Sequence, residues 1–333
     1  MTLLICNSNL FVPVVLTKVL TESTSKFLIL VDQECLEELF LFLNIPNVFL
    51  IRTTNPSPKK PFKAWKIKRK LLKDINNYQI DNLIFFHNEF GDIVNWLIQK
   101  LSSRIVIYHG HVYDSLPYPK APNNLDKLKL NIKYFFLYNT PMDILYNGNR
   151  LIPSLPKCFF IKNNIHIIQC PVNYEIISNL VSKKLQIMPS DNKNVILLTG
   201  SVVATEQVNE HIYIRYINDI INEIGPNNIL SKCHPRFNDI LGNENDLQQI
   251  PSFIPANIIL NNFQYFIGYN STLLVEAAIN GKIAISLIDL IPPINKKTPQ
   301  YWHIFFQNRL QEKGYIYYPK NLQELSDILQ LKK

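Results

Sequence analysis

The chain has 333 residues, enough for two domains with cores of their own, and its 47% hydrophobic and 18% charged content excludes a disordered chain. A net charge of +8 favours anionic partners: nucleotides, acidic glycans, nucleic acid or an anionic membrane surface. No run reaches the roughly 18 apolar residues of a membrane-spanning helix, so any membrane contact is expected to be peripheral. The five cysteines, Cys6, Cys35, Cys158, Cys170 and Cys233, are scattered and form no Cys-x-x-Cys pair. That removes zinc-type spacing and points to a reducing compartment.

Met1–Val15 is apolar but lacks the basic start and small-residue cleavage site of a signal peptide. It reads as a first buried strand, Leu3–Cys6, with a helix over Pro13–Thr21. Strands are then predicted at Phe27–Val31, Val48–Ile51, Asn82–Phe86 and Arg104–Tyr108, and helices at Glu34–Leu43, Lys63–Ile75 and Ile93–Leu101. This alternation predicts a parallel sheet covered by helices. Lys59, Lys60, Lys63, Lys66, Lys68, Arg69 and Lys70 gather around the start of the third helix. They make either a solvated face or a surface for anionic lipid or charged glycan.

The pattern weakens through Leu125–Pro156. Lys157–Lys162 and Ile165–Cys170 read as further strands, and Val172–Lys193 as an interdomain stretch, giving domains over 1–180 and 181–333. A second series follows: strands Asn194–Leu198, Ile229–Cys233, Ile258–Leu260, Tyr265–Gly268 and Lys282–Ile288, with helices Asn209–Ile224 and Leu273–Asn280. Helices near Tyr301–Glu312 and Leu322–Leu331 close the chain, the last expected to pack back toward the first domain.

Three turns of the second series carry chemistry. Lys232-Cys233-His234-Pro235-Arg236 puts two cations and an imidazole at a strand exit, with Cys233 reading as the core-facing residue. Gly268-Tyr269-Asn270-Ser271-Thr272 ends a strand in hydroxyl residues and opens a helix, a ready place for a phosphate. Thr199-Gly200-Ser201 follows a third strand. Together they suit a phosphorylated leaving group: fixed donors stabilise its growing charge, and a titratable group helps it depart.

Taken in chain order, the Thr-Gly-Ser turn, the Lys-x-His-Pro-Arg loop and the Asn-Ser-Thr turn resemble those of bacterial sialyltransferases of the lipooligosaccharide and polysialic acid type. The resemblance runs over about Asn82–Ser286. It implies an α/β GT-B architecture of two Rossmann-like domains with a cleft between them. The first would bind a glycan acceptor and the second a CMP-activated sugar. The implied reaction is inverting transfer of a nonulosonic acid, sialic acid or a relative such as pseudaminic acid, to a hydroxyl of lipooligosaccharide or capsule. The implied setting is the cytoplasm, with peripheral association at the inner face of the membrane. His234 would contact the CMP phosphate and act as general acid. Lys232 and Arg236 would add charge there, Asn270, Ser271 and Thr272 would hold the phosphate, and Gly200 and Ser201 would lie near the nucleotide. No cofactor or metal is implied, and the chain has no Asp-x-Asp.

The chain departs from that pattern in two places. Where the related enzymes carry an acidic motif with the catalytic base, this strand runs into Tyr108-His109-Gly110-His111, so His109 stands as the candidate base. Glu89, Glu206 and Glu210 are the alternatives. Where relatives have Pro-Ala-Glu near the nucleotide, this chain has Pro255-Ala256-Asn257, and Asn257 offers hydrogen bonds without the negative charge. The rival readings are a GT-B transferase for CMP-Kdo or another nucleotide sugar, and a nucleic-acid-binding protein. Nucleic acid is not expected, since no helix-turn-helix, zinc or ribonucleoprotein-type signature is present.

Overall fold

The computed structural model describes residues 1–54, 61–86, 93–111, 125, 128–129, 132, 157–185, 195–199, 202–234, 247–310 and 313–330. The chain divides into two compact units, Met1–Asn173 and Tyr174–Lys333.

The first unit is built on six parallel strands, β1 (Thr2–Cys6), β2 (Phe27–Val31), β3 (Val48–Arg52), β4 (Asn82–Phe85), β5 (Val106–His111) and β6 (Ile165–Gln169). Their order is β3-β2-β1-β4-β5-β6. Its helices include α1 (Val12–Thr21), α2 (Glu34–Leu43), α3 (Pro61–Asn76), α4 (Ile93–Leu101) and α5 (Lys157–Lys162). β2 is buried at every position, which explains its unbroken Phe-Leu-Ile-Leu-Val run: helices cover a parallel sheet on both faces. On one face Leu3, Leu28, Phe85 and Ile107 pack with Ala64, Leu71 and Ile75 of α3 and Leu97 and Ile98 of α4. The 64, 71, 75 spacing is the buried stripe of an amphipathic helix.

Lys157–Lys162 is a helix rather than a strand. A short apolar run does not separate the two by periodicity. Here Asn164, at φ 48°, stops the turn, its N–H donating to the Ile161 carbonyl at 3.1 Å.

The second unit repeats the plan with β7 (Val195–Thr199), β8 (Ile229–Cys233), β9 (Gln248–Ile250), β10 (Tyr265–Gly268), β11 (Ile283–Ser286) and β12 (Ile316–Tyr317). The order is β12-β11-β10-β7-β8-β9, with all pairs parallel. Its helices are α6 (Tyr174–Leu185), α7 (Glu210–Ile224), α8 (Leu273–Ile279), α9 (Thr298–Leu310) and α10 (Leu322–Gln330). Counted from its own first strand, each sheet has the doubly wound order 3-2-1-4-5-6.

Much of the stretch read as interdomain is α6, which buries Ile177 and Val181. Its Ser178 hydroxyl donates to the Asn262 side-chain carbonyl at 2.7 Å. Asn262 lies in a 3-10 helix, Ala256–Asn262, that replaces the strand predicted at Ile258–Leu260. The last helix, α10, packs on α7 of its own unit, with the Ser326 hydroxyl donating to Glu223 at 2.5 Å.

Candidate functional site

In doubly wound folds ligands lie beyond the carboxyl ends of the strands, at the point where the strand order reverses. In the second unit that point falls between β7 and β10. β8 flanks β7 on the other side, and the three predicted turns leave the carboxyl ends of these three neighbouring strands.

β7 ends at the buried Thr199; Gly200 and Ser201 lie outside the described residues. The His234 N–H, just past β8, donates to the Thr199 carbonyl at 3.1 Å, which ties the imidazole-bearing loop to the neighbouring strand end. His234 is half-buried, and Pro235 and Arg236 lie outside the described residues. Lys232 is buried at 3% exposure, and its ammonium donates to the carbonyls of Cys233 at 2.6 Å and Ser252 at 3.2 Å. The strand alternation therefore runs opposite to the sequence reading at this point: Lys232 is inside, and Cys233 is partly exposed with its thiol donating to the His234 carbonyl at 3.4 Å.

β10 ends at Gly268, where an added Cβ would sit 3.0 Å from the Leu198 Cβ, a tight contact with β7 that glycine avoids. Beyond it, the Ser271 hydroxyl accepts from the Leu273 N–H at 3.3 Å, opening α8. That bond uses an oxygen lone pair and leaves the hydroxyl proton for donation. Thr272 is exposed beside it. The Asn270 amide donates to the Gln207 side-chain carbonyl at 2.6 Å, and the Trp302 indole N–H of α9 donates to the same oxygen at 3.2 Å. Gln207 therefore anchors the 202–209 turn to both β10 and α9. In that turn Glu206 is exposed at φ 54°. Glu210, the first residue of α7, is also exposed, behind an Asn209 cap whose side chain accepts from Ile212 N–H at 3.3 Å. Asn257 is buried near the start of the 3-10 helix.

His109 belongs to the first unit. It is 5% exposed, with its ring edge-on to Phe85 at 4.9 Å and Phe160 at 5.4 Å between centroids. Gly110 makes room for a neighbour: a Cβ there would lie 2.5 Å from the Phe86 ring. Glu89 lies outside the described residues.

The GT-B domain of a sialyltransferase from Photobacterium damselae superposes on 96% of this chain and 100% of its own, with a TM-score of 0.50 at 14% identity. The fold is GT-B. A UDP-GlcNAc 2-epimerase from Neisseria meningitidis gives 0.45 at 14% identity over 100% of both chains. The ADP-heptose heptosyltransferase II of E. coli gives 0.42 at 11% identity over 99% of this chain and 98% of its own. No protein-family model and no curated protein sequence matches.

Two features of this GT-B chain were passed over in the sequence. Glu276 is the single charge in the apolar helix α8, a signal that was there to be read. Part of the side chain reaches the surface, but its Oε2 is shut away from solvent without a hydrogen-bond partner among the described residues. Burial raises its pKa to about 7. The second is an Asp-His pair after β11: Asp289 Oδ1 lies 2.9 Å from His303 Nε2, and the His303 ring is 4.2 Å from Tyr318. Burial, with Asp289 adding to it, pushes the neighbouring Tyr269 hydroxyl to about 12, so it stays protonated. These groups are far apart in sequence, and only the fold brings them together.

Proposed function

We propose that the protein is an inverting glycosyltransferase. It moves a nonulosonic acid, sialic acid or a relative such as pseudaminic acid, from its CMP-activated form to a hydroxyl of a cell-surface glycan, at the inner face of the cytoplasmic membrane. The observation that carries this reading is the convergence of three phosphate-suited turns on neighbouring strand ends of one sheet, with His234 bonded to Thr199 and Asn270 held through Gln207. A sialyltransferase among the solved structures of like fold supports it further.

In this reading the bond between the anomeric carbon and the CMP phosphate oxygen breaks as the acceptor oxygen bonds to that carbon. His234 gives its proton to the departing phosphate. Ser271, Thr272 and Asn270 hold the phosphate, joined by Arg236, Gly200 and Ser201. Lys232, with its ammonium on two backbone carbonyls, stiffens the loop that carries His234 and does not itself grip the phosphate. A base must come within hydrogen-bond reach of the acceptor hydroxyl. His109 is only 5% exposed, whereas Glu206 and Glu210 are both exposed, and Glu210 sits at the first turn of α7. We therefore assign the base to Glu210.

The test is a donor panel of CMP-sialic acid, CMP-pseudaminic acid, CMP-Kdo and UDP- and ADP-sugars, with candidate glycans. CMP release from a nonulosonic acid donor is expected, and His234→Ala should cut it about 10²–10⁴-fold. Turnover of UDP- or ADP-sugars alone would sink the donor assignment. Transfer lost in His109→Ala and retained in Glu210→Gln would return the base to His109.

A further inference from the structure

The helix α3 has two unlike faces. Ala64, Leu71 and Ile75 are buried in the core of the first unit, which fixes how the helix is turned. At 3.6 residues per turn the opposite face carries Phe62, Lys66, Arg69 and Lys73, with Trp65 at one margin and Lys63 and Lys70 at the other, all exposed. Phe62 is 84% exposed and Trp65 is 54% exposed. The sequence Pro61–Asn76 holds six cations and one acid, Asp74. The Arg69 guanidinium lies 5.3 Å over the Trp65 ring, so cation and aromatic share one patch.

A bare phenyl ring at that exposure is costly in water, and a soluble polyanion would satisfy the lysines without relieving it. A bilayer with anionic headgroups meets both needs: lysines reach the phosphates while Phe62 and Trp65 enter the acyl boundary. Among the described residues no helix is long and apolar enough to cross a membrane. We propose that the outer face of α3 docks the first unit onto an anionic phospholipid bilayer. This names the attachment surface for an enzyme read as working at the membrane, and it can be tested without turnover.

The test is co-sedimentation of the full chain with phosphatidylcholine vesicles, alone or with about one third phosphatidylglycerol. Binding is expected only to the anionic vesicles, and weaker at high salt. The variant Lys66→Gln/Arg69→Gln/Lys73→Gln should bind on the order of 100-fold more weakly, and Phe62→Ser/Trp65→Ser at least about tenfold more weakly. Both should keep the parent's circular dichroism and its CMP-sugar turnover on a soluble acceptor. Equal binding to neutral vesicles, no binding at all, or undiminished binding of the aromatic variant would overturn the proposal. Loss of turnover in the parent with vesicle binding intact would instead count against the transferase reading alone.

Discussion

Glu276 sits in an environment at odds with its chemistry. Its carboxyl rises from 4.5 to about 7 because burial disfavours the charged form. Between those values the folded protein holds a proton that the unfolded chain has released. Stability therefore falls as pH rises through that window, and the loss is complete above it. Glu276→Gln keeps the shape and removes the titration. Urea unfolding should show parent and variant nearly equal close to pH 4.5, and the variant more stable by on the order of 1–3 kcal/mol above about pH 8. A difference independent of pH would mean that the carboxyl is not desolvated. At this scale the sequence was half legible. His234, Ser271 and Thr272 follow strands, and strand ends can be read from apolar runs. Lys232 could not be placed, because a lysine in a strand looks the same whether its ammonium reaches solvent or folds back onto carbonyls.

Among the elements, the placement of α8 matters most, since it starts directly after Ser271 and Thr272. Its far end rests against the turn before β12, where Gly314 adopts φ 110° and an added Cβ would lie 2.4 Å from the Ala278 carbonyl oxygen. Both backbone conformation and space demand glycine. Gly314→Ala should lower stability by about 1–3 kcal/mol, read as an earlier urea midpoint; an unchanged midpoint would mean that this turn does not brace α8. α2, α4, β2, β8 and β10 were plain in the sequence and match the residue ranges predicted for them. The misread ones are short and apolar. α5 and the Ala256–Asn262 turn are set by what they pack against and by stops such as Asn164, and periodicity over so few residues does not reveal either. β9 and β12, of three and two residues, carry too little pattern to be seen.

For the whole molecule, the double strand-helix series in the sequence foretold two Rossmann-like units, and both sheets have the same strand order. In the proposed function the second sheet carries the nucleotide: at the reversal between β7 and β10 an anion would lie among the Ser271 and Thr272 hydroxyls and the His234 imidazole. The most direct test is calorimetric titration of CMP, UDP and ADP into the parent protein and into Ser271→Asp, which sets a negative charge where the phosphate should lie. CMP is predicted to bind more tightly than UDP or ADP, and the variant to lose at least about tenfold in CMP affinity while unfolding at the parent's temperature. Absence of CMP binding to the parent, or unchanged CMP affinity in a folded Ser271→Asp, would contradict the assignment of this sheet edge as the nucleotide site.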